Sequence, residues 1–214
     1  MSMNLAQLAK STRGGWTATD GDLRELRSAA QRLGWSELPN RRGDPSVTEL
    51  RPRTEQQAKP NSLSTKYGTG AQPLHTDGAH LPRPPDIVAL VAKTPSRTPT
   101  RLWRTLSITR AVPWEALHNG IFLVSSGRDS FFTPAAGDLG FRYDPGCMTP
   151  CDQRARATAE YFTEALEDAD EHVWVMPGQI LLIDNRRALH ARAAVDSDTD
   201  AGRTLHRVAF ALET

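Results

Sequence analysis

The chain has 214 residues, 38% of them hydrophobic and 24% charged, which suits one globular domain with a buried core and excludes a disordered or fibrous chain. With 26 basic against 25 acidic residues, interspersed, the net charge is +1, and the broad basic footprint of a nucleic-acid or anionic-membrane binder is absent. No apolar run reaches the roughly 18–20 residues that span a bilayer, and Met1 to Gly15 lacks the apolar core of a secretory signal, so a cytoplasmic protein with neither nucleic acid nor membrane as partner is expected.

In chain order, the first element is a helix over Asp20 to Leu33, capped by Thr19 or Asp20, with Leu23, Leu26, Ala30 and Leu33 on one stripe. Gly34 to Pro60 is polar and proline-punctuated and reads as loop, apart from a short strand at Val47 to Leu50. Short strands are expected at Ser62 to Thr69, Ile87 to Ala92, Thr100 to Ile108 and Ile121 to Ser125, each β-branched or alternating and bounded by Pro, Gly or Ser. A short helix fits Pro113 to His118, and a longer one fits Asp152 to Glu167, where Ala155, Ala159, Phe162 and Leu166 share a face. Strand character returns at Val173 to Val175, Ile180 to Asp184 and Leu205 to Leu212. The two cysteines, Cys147 and Cys151, lack a partner pair at zinc-site spacing and read as structural.

Short strands separated by turns, with helices gathered at the start and in one late insertion, predict an antiparallel, mainly β architecture with flanking helices, a double-sheet jelly roll. One domain over 1–214 is expected, with 1–60 as an N-terminal helical and loop buttress and 61–214 as the jelly-roll core.

The chemistry is concentrated in three segments. In Pro73-Leu74-His75-Thr76-Asp77-Gly78, an imidazole and a carboxylate two residues apart on an extended chain point to the same side. Alone the pattern is weak, because a surface turn capped by Asp77 would look the same. A second His is needed to complete a two-His-one-carboxylate site. The run Pro177 to Asn185 reads as a turn launching an apolar strand that delivers His190 near its end. Thirteen residues on comes Arg203, which from a neighbouring strand can grip a carboxylate through two parallel charge-assisted bonds.

Together, PLHTDG at Pro73 to Gly78, PGQILLIDNRRALHAR at Pro177 to Arg192 and GRTLHR at Gly202 to Arg207 resemble the Fe(II)/2-oxoglutarate dioxygenases of the taurine dioxygenase and clavaminate synthase superfamily. The resemblance runs from about Ser62 to the C-terminus. It implies a double-stranded β-helix, cupin-like, whose open end holds Fe(II) on His75, Asp77 and His190. It further implies 2-oxoglutarate as cosubstrate with O2, its distal carboxylate on Arg203, and Arg207 near an acidic group of the substrate. A Thr commonly helps to hold that carboxylate; Thr98, Thr100 and Thr105 compete, and Thr100 is chosen. The expected reaction is oxidation of a small polar metabolite, most naturally hydroxylation of an amino acid or derivative, with release of succinate and CO2. The presence of Asp77, where related halogenases are expected to carry a small residue, points away from halogenation.

Other residues suit a pocket lining. Lys66 and Tyr67 lie on the stretch leading to the metal motif, and the loops Gly127 to Asp129 and Phe141 to Gly146 combine Arg with an aromatic, with Arg142 as a substrate-binding candidate. His80, His118, His172 and His206 fall outside the triad pattern and read as structural or surface residues. The rival readings are a jelly-roll small-molecule binding module without turnover and a metal-dependent cupin enzyme that does not use 2-oxoglutarate.

Overall fold

The computed structural model describes residues 4–40, 43–60, 62–105, 110–127 and 129–212. Helix α1 (Leu5–Ser11) is followed by strand β1 (Trp16–Asp20) and helix α2 (Leu23–Arg32). The expected helix therefore begins later than its sequence suggests. Asp22 is its cap, with a carboxylate oxygen accepting from the Glu25 amide at 2.7 Å, and Thr19 and Asp20 belong to a strand. Strands β2 (Ser36–Leu38) and β3 (Val47–Leu50) follow, the second where the alternation predicts it.

The strand expected over Ser62 to Thr69 is instead a short helix, α3 (Leu63–Tyr67). The Ser62 and Thr65 hydroxyls both donate to the Lys59 carbonyl at 2.7 Å, a local side-chain bonding that favours a turn of helix over a ladder. Strands β4 (Ile87–Ala92) and β5 (Ser96–Arg104) come next; the second starts four residues before its expected position, and the predicted end at Ile108 lies outside the described residues.

Helix α4 (Trp114–Asn119) and strands β6 (Phe122–Ser125), β7 (Ser130–Thr133), β8 (Ala136–Gly137), β9 (Gly140–Phe141) and β10 (Met148–Pro150) lead to helix α5 (Gln153–Ala165). The chain ends with β11 (Asp170–Trp174), β12 (Gln179–Asp184), β13 (Ala188–Arg192) and β14 (Leu205–Ala211).

The strands form a major antiparallel sheet, β1-β12-β4-β14, extended by β2 and β3, both on β14, and a minor sheet, β11-β5-β13. Three of the major sheet's strands thus come from the first 60 residues, where loop dominated the sequence reading. Strand β4 is buried on both faces. Its Val88, Leu90 and Ala92 point between the sheets to Leu102, Trp174, Leu181 and Leu205, while Ile87, Ala89 and Val91 pack outward on Leu5, Leu26 and Ala30 of the N-terminal helices. Each such aliphatic side chain removed from water contributes about 1.5–3 kcal/mol before chain entropy is charged against it. The outer face of the minor sheet, through Trp103, Leu189 and Ala191, is covered by Tyr161 and Phe162 of α5 and by Phe122 of the small sheet β10-β6-β7. Among the described residues, no helix is long and apolar enough to cross a membrane.

Candidate metal centre

The sequence put His190 at the end of one strand, but two strands are involved. The apolar run β12 stops at Asp184, the chain turns through Asn185 to Arg187, and His190 lies on β13 in the opposite sheet, facing inward beside Leu102. The segment carrying His75 pairs with it: His75 N donates to His190 O at 2.9 Å and His190 N to His75 O at 3.0 Å. This ladder fixes the two imidazoles side by side, ring centres 4.4 Å apart. Alternation then does what an extended chain requires. Asp77 emerges on the side of His75, and Thr76 turns away into the protein, where its hydroxyl accepts from the Tyr143 amide.

Asp77 is held by a residue to which the sequence reading gave no role. Asn185, fully buried in the β12–β13 turn, accepts from the Asp77 amide at 2.9 Å and donates to the carbonyls of Asp77 and Pro85. Its signal was a lone amide in the turn after an apolar strand, with nothing local to show what it would bond. Gly78 follows at a φ of 68°, and a Cβ there would stand 2.8 Å from Pro85 Cδ, so the motif must end in glycine.

One ligand atom each from His75, Asp77 and His190 lie within 4.8 Å of one another. Nδ1 of His75 sits 3.0 Å from the Pro73 carbonyl, which leaves Nε2 to face the centre. Burial pushes the His190 imidazole down to about 3, with His75 and Arg207 adding and Asp77 opposing, so it is neutral and able to donate a lone pair. Burial alone would raise the Asp77 carboxyl. The Arg207 guanidinium, then His190 and His75, hold it well below the usual carboxylate range, and it stays ionised. Two imidazoles and one carboxylate gathered at one point match the facial donor set that a mononuclear iron would require. The residues fit the metal.

Two arginines of the C-terminal stretch are buried. Arg207, inward on β14 and 4% exposed, donates from Nε to Asp77 Oδ2 at 2.8 Å, while its Nη1 is buried without a hydrogen-bond partner among the described residues. Arg203, just before β14, is 5% exposed and its Nε is likewise buried and unpartnered. Burial lowers it to about 10, Arg192 adding and Asp200 opposing. Thr100 is inward on β5, opposite Arg192 of β13, and its hydroxyl accepts from the Trp174 indole at 3.2 Å. Thr98 is committed elsewhere: its hydroxyl and its amide both donate to the Asp200 carboxylate, which also receives the Ser96 hydroxyl at 2.6 Å. Thr105 lies past the end of β5.

Arg142 is spent on backbone. Its Nη1 donates to the carbonyls of Ala79 and Leu81, and its Nη2 to that of Pro82 at 2.8 Å, so the side chain clamps the loop that leaves the metal motif. Lys66 and Tyr67 belong to α3 and not to a strand; Tyr67 lines a cavity of about 260 Å³ with Gln72, Pro73, Tyr143 and Phe162, beside the His75 segment. His206 faces away from the centre, toward Glu49. Arg128 lies outside the described residues.

Two bodies of comparison bear on this geometry. Asparagine oxygenase in complex with Fe(II), 2S,3S-3-hydroxyasparagine and succinate superposes with a TM-score of 0.74 at 16% identity, over 97% of this chain and 78% of that one. The non-haem iron oxygenase OrfP in complex with Fe and alpha-ketoglutaric acid gives 0.72 at 17% identity, over 98% and 79%. The fold is that of the non-haem iron oxygenases. The double-stranded β-helix expected of an Fe(II)/2-oxoglutarate oxygenase is therefore the architecture found. In sequence, clavaminate synthase 2 of Streptomyces clavuligerus is 35% identical over 74 residues, a stretch covering 34% of this chain and 23% of that protein. No family model matches the chain. Within the non-haem iron oxygenase fold, the facing sheets bring together His75, Asp77, His190 and Arg207 from three separate stretches of chain, and Thr100 stands on β5 two residues from the strand partner of His190.

Proposed function

We propose that this protein is an Fe(II)- and 2-oxoglutarate-dependent oxygenase that hydroxylates an amino acid or a close derivative of one. The observation that carries the reading is the convergence of His75, Asp77 and His190 on one point, with Arg207 bonded to Asp77 and its Nη1 buried without a hydrogen-bond partner among the described residues. His75, Asp77 and His190 hold the iron. Arg203 takes the distal carboxylate of 2-oxoglutarate, and the Thr100 hydroxyl, whose acceptor side is occupied by Trp174, donates to it. Iron with 2-oxoglutarate and O2 supplies a two-electron oxidation coupled to loss of CO2 and formation of succinate, strong enough for an unactivated C–H bond.

Arg207 orients the substrate. Its Nε is fixed by Asp77, so its Nη1 is held at a set place with a donor to spare, suited to the carboxylate of an amino acid. Support for that substrate class comes from the molecules bound in structural neighbours, 2S,3S-3-hydroxyasparagine in asparagine oxygenase and (3S)-hydroxy-L-Arg in the D157A mutant of OrfP. The near-neutral net charge suits a small-molecule substrate in the cytoplasm. The chain acts as one domain.

The test is an anaerobic titration of the protein with Fe(II) and 2-oxoglutarate, monitored by the weak visible charge-transfer band of a chelated keto acid. A band that needs both additions and is lost in Asp77→Ala is the expected result. Folded, iron-loaded protein without a band would leave a binding module or a cupin enzyme independent of 2-oxoglutarate.

A further inference from the structure

The inner face of the minor sheet carries an arginine with no task assigned so far. Arg192 ends β13, two residues beyond His190 and so on the same inward side, directly opposite Thr100. Its Nη2 donates to the carbonyls of Gly68 and Gly70, both at 2.7 Å, which holds the guanidinium in place. Its Nε is buried without a hydrogen-bond partner among the described residues, as is the Nε of Arg203.

Arg203 is buried and Arg192 half-buried, each feels the other's charge, and each keeps a buried Nε without a hydrogen-bond partner among the described residues, an arrangement that suits an anion. The carboxylate that stands closest in the charge balance of Arg203 is Asp200, and its oxygen Oδ2 is already shared by the Ser96 hydroxyl and by the Thr98 amide and hydroxyl. Those bonds draw Asp200 toward the Ser96–Thr98 end of β5. Positive charge is left over around Thr100, one row of the sheet away from His190.

We propose that Arg192 is a specificity-determining residue of this site, which with Arg203 forms a two-guanidinium clamp selecting a keto acid with a carboxylate at its far end. The inference rests on the 2-oxoglutarate reading above. A single Arg can bind one carboxylate through a two-bond fork. A second cation from the facing sheet adds discrimination against keto acids with an uncharged tail, because those leave both buried donors unsatisfied.

The experiment compares 2-oxoglutarate with 2-oxopentanoate, which has the same chain length and no distal carboxylate, by the anaerobic charge-transfer titration on Fe(II)-loaded full chain. In Arg192→Gln the dissociation constant for 2-oxoglutarate is expected to rise about tenfold, the loss of one charge-assisted contact, while that for 2-oxopentanoate stays the same. Equal weakening of both acids would make Arg192 only a clamp on the Gly68–Gly70 backbone and overturn the proposal, as would no change in either. Arg192→Lys keeps the charge but not the fork, and a selectivity between unmodified protein and Arg192→Gln is expected; it carries the same comparison should the glutamine variant not fold. Absence of any band with the unmodified protein would instead sink the 2-oxoglutarate reading itself, and the clamp with it.

Discussion

Arg207 and Asp77 form an ion pair largely out of water, and such pairs are costly to break from one side. Arg207→Gln leaves the Asp77 carboxylate facing the imidazoles without its counter-charge, and the metal-free protein should lose roughly 3 kcal/mol of stability. Fe(II) supplies the missing positive charge. Thermal melting with and without Fe(II) should therefore show a larger metal-induced rise in Tm for the variant than for the unmodified protein; equal rises would mean that Arg207 does not balance Asp77. Asn185 is a second sensitive point, because its amide makes three hydrogen bonds with full burial. Asn185→Ala strands the Asp77 amide and two carbonyls, with an expected cost of about 3 kcal/mol. Its iron affinity should fall with stability, measurable by competition with a chromogenic chelator, whereas Asn119→Ala, at an exposed position of α4, should change neither.

At the level of elements, what the sequence made legible was what local pattern controls. The all-apolar runs of β4 and β12, the stripe on α5 and the alternation in β3 are set by burial on faces that lie within a few residues of each other. Strand β1 was hidden because Trp16-Thr17-Ala18-Thr19-Asp20 is polar, half exposed and at the sheet edge, held by its ladder to β12 more than 150 residues away. The start of α2 moved for the same reason: Asp22 is the cap because the ladder claims Asp20. Asp22→Ala should therefore cost about 1 kcal/mol, and Asp20→Ala almost nothing, in denaturant unfolding; the reverse order would return the cap to Asp20. At the site, the His75-x-Asp77 pair and His190 could be read from spacing and resemblance. The partners of Asn185, Arg142 and Asp200 could not, since each bonds backbone or hydroxyl groups about 60 to 110 residues distant that advertise nothing in the sequence.

For the molecule as a whole, the donor set that suits a metal sets the response to acid. As pH falls below about 6.5, the unfolded chain protonates the imidazole of residue 190, while the folded chain, in which burial lowers that group to about 3, does not. Asp77 acts in the same direction at lower pH: its folded carboxyl, held down by Arg207 against burial, stays ionised while the unfolded one takes a proton near the ordinary value of 3.8. Stability is thus present in full above pH 6.5 and lost as pH falls. The Tm of the metal-free protein should drop between pH 6.5 and 4, and the drop should be shallower in His190→Gln; parallel curves would count against a buried neutral His190. The Asn185 contact has a further consequence, in the order of synthesis. Asp77 waits for a side chain 108 positions later in the chain, and His75 for a strand later still. A ribosome releases the first two ligands long before the residues that aim them, so a nascent chain carries a His-x-Asp pair without a pocket. Iron can be captured only once both sheets have closed, and the chain should emerge and fold metal-free, loading from the cell's labile iron afterwards.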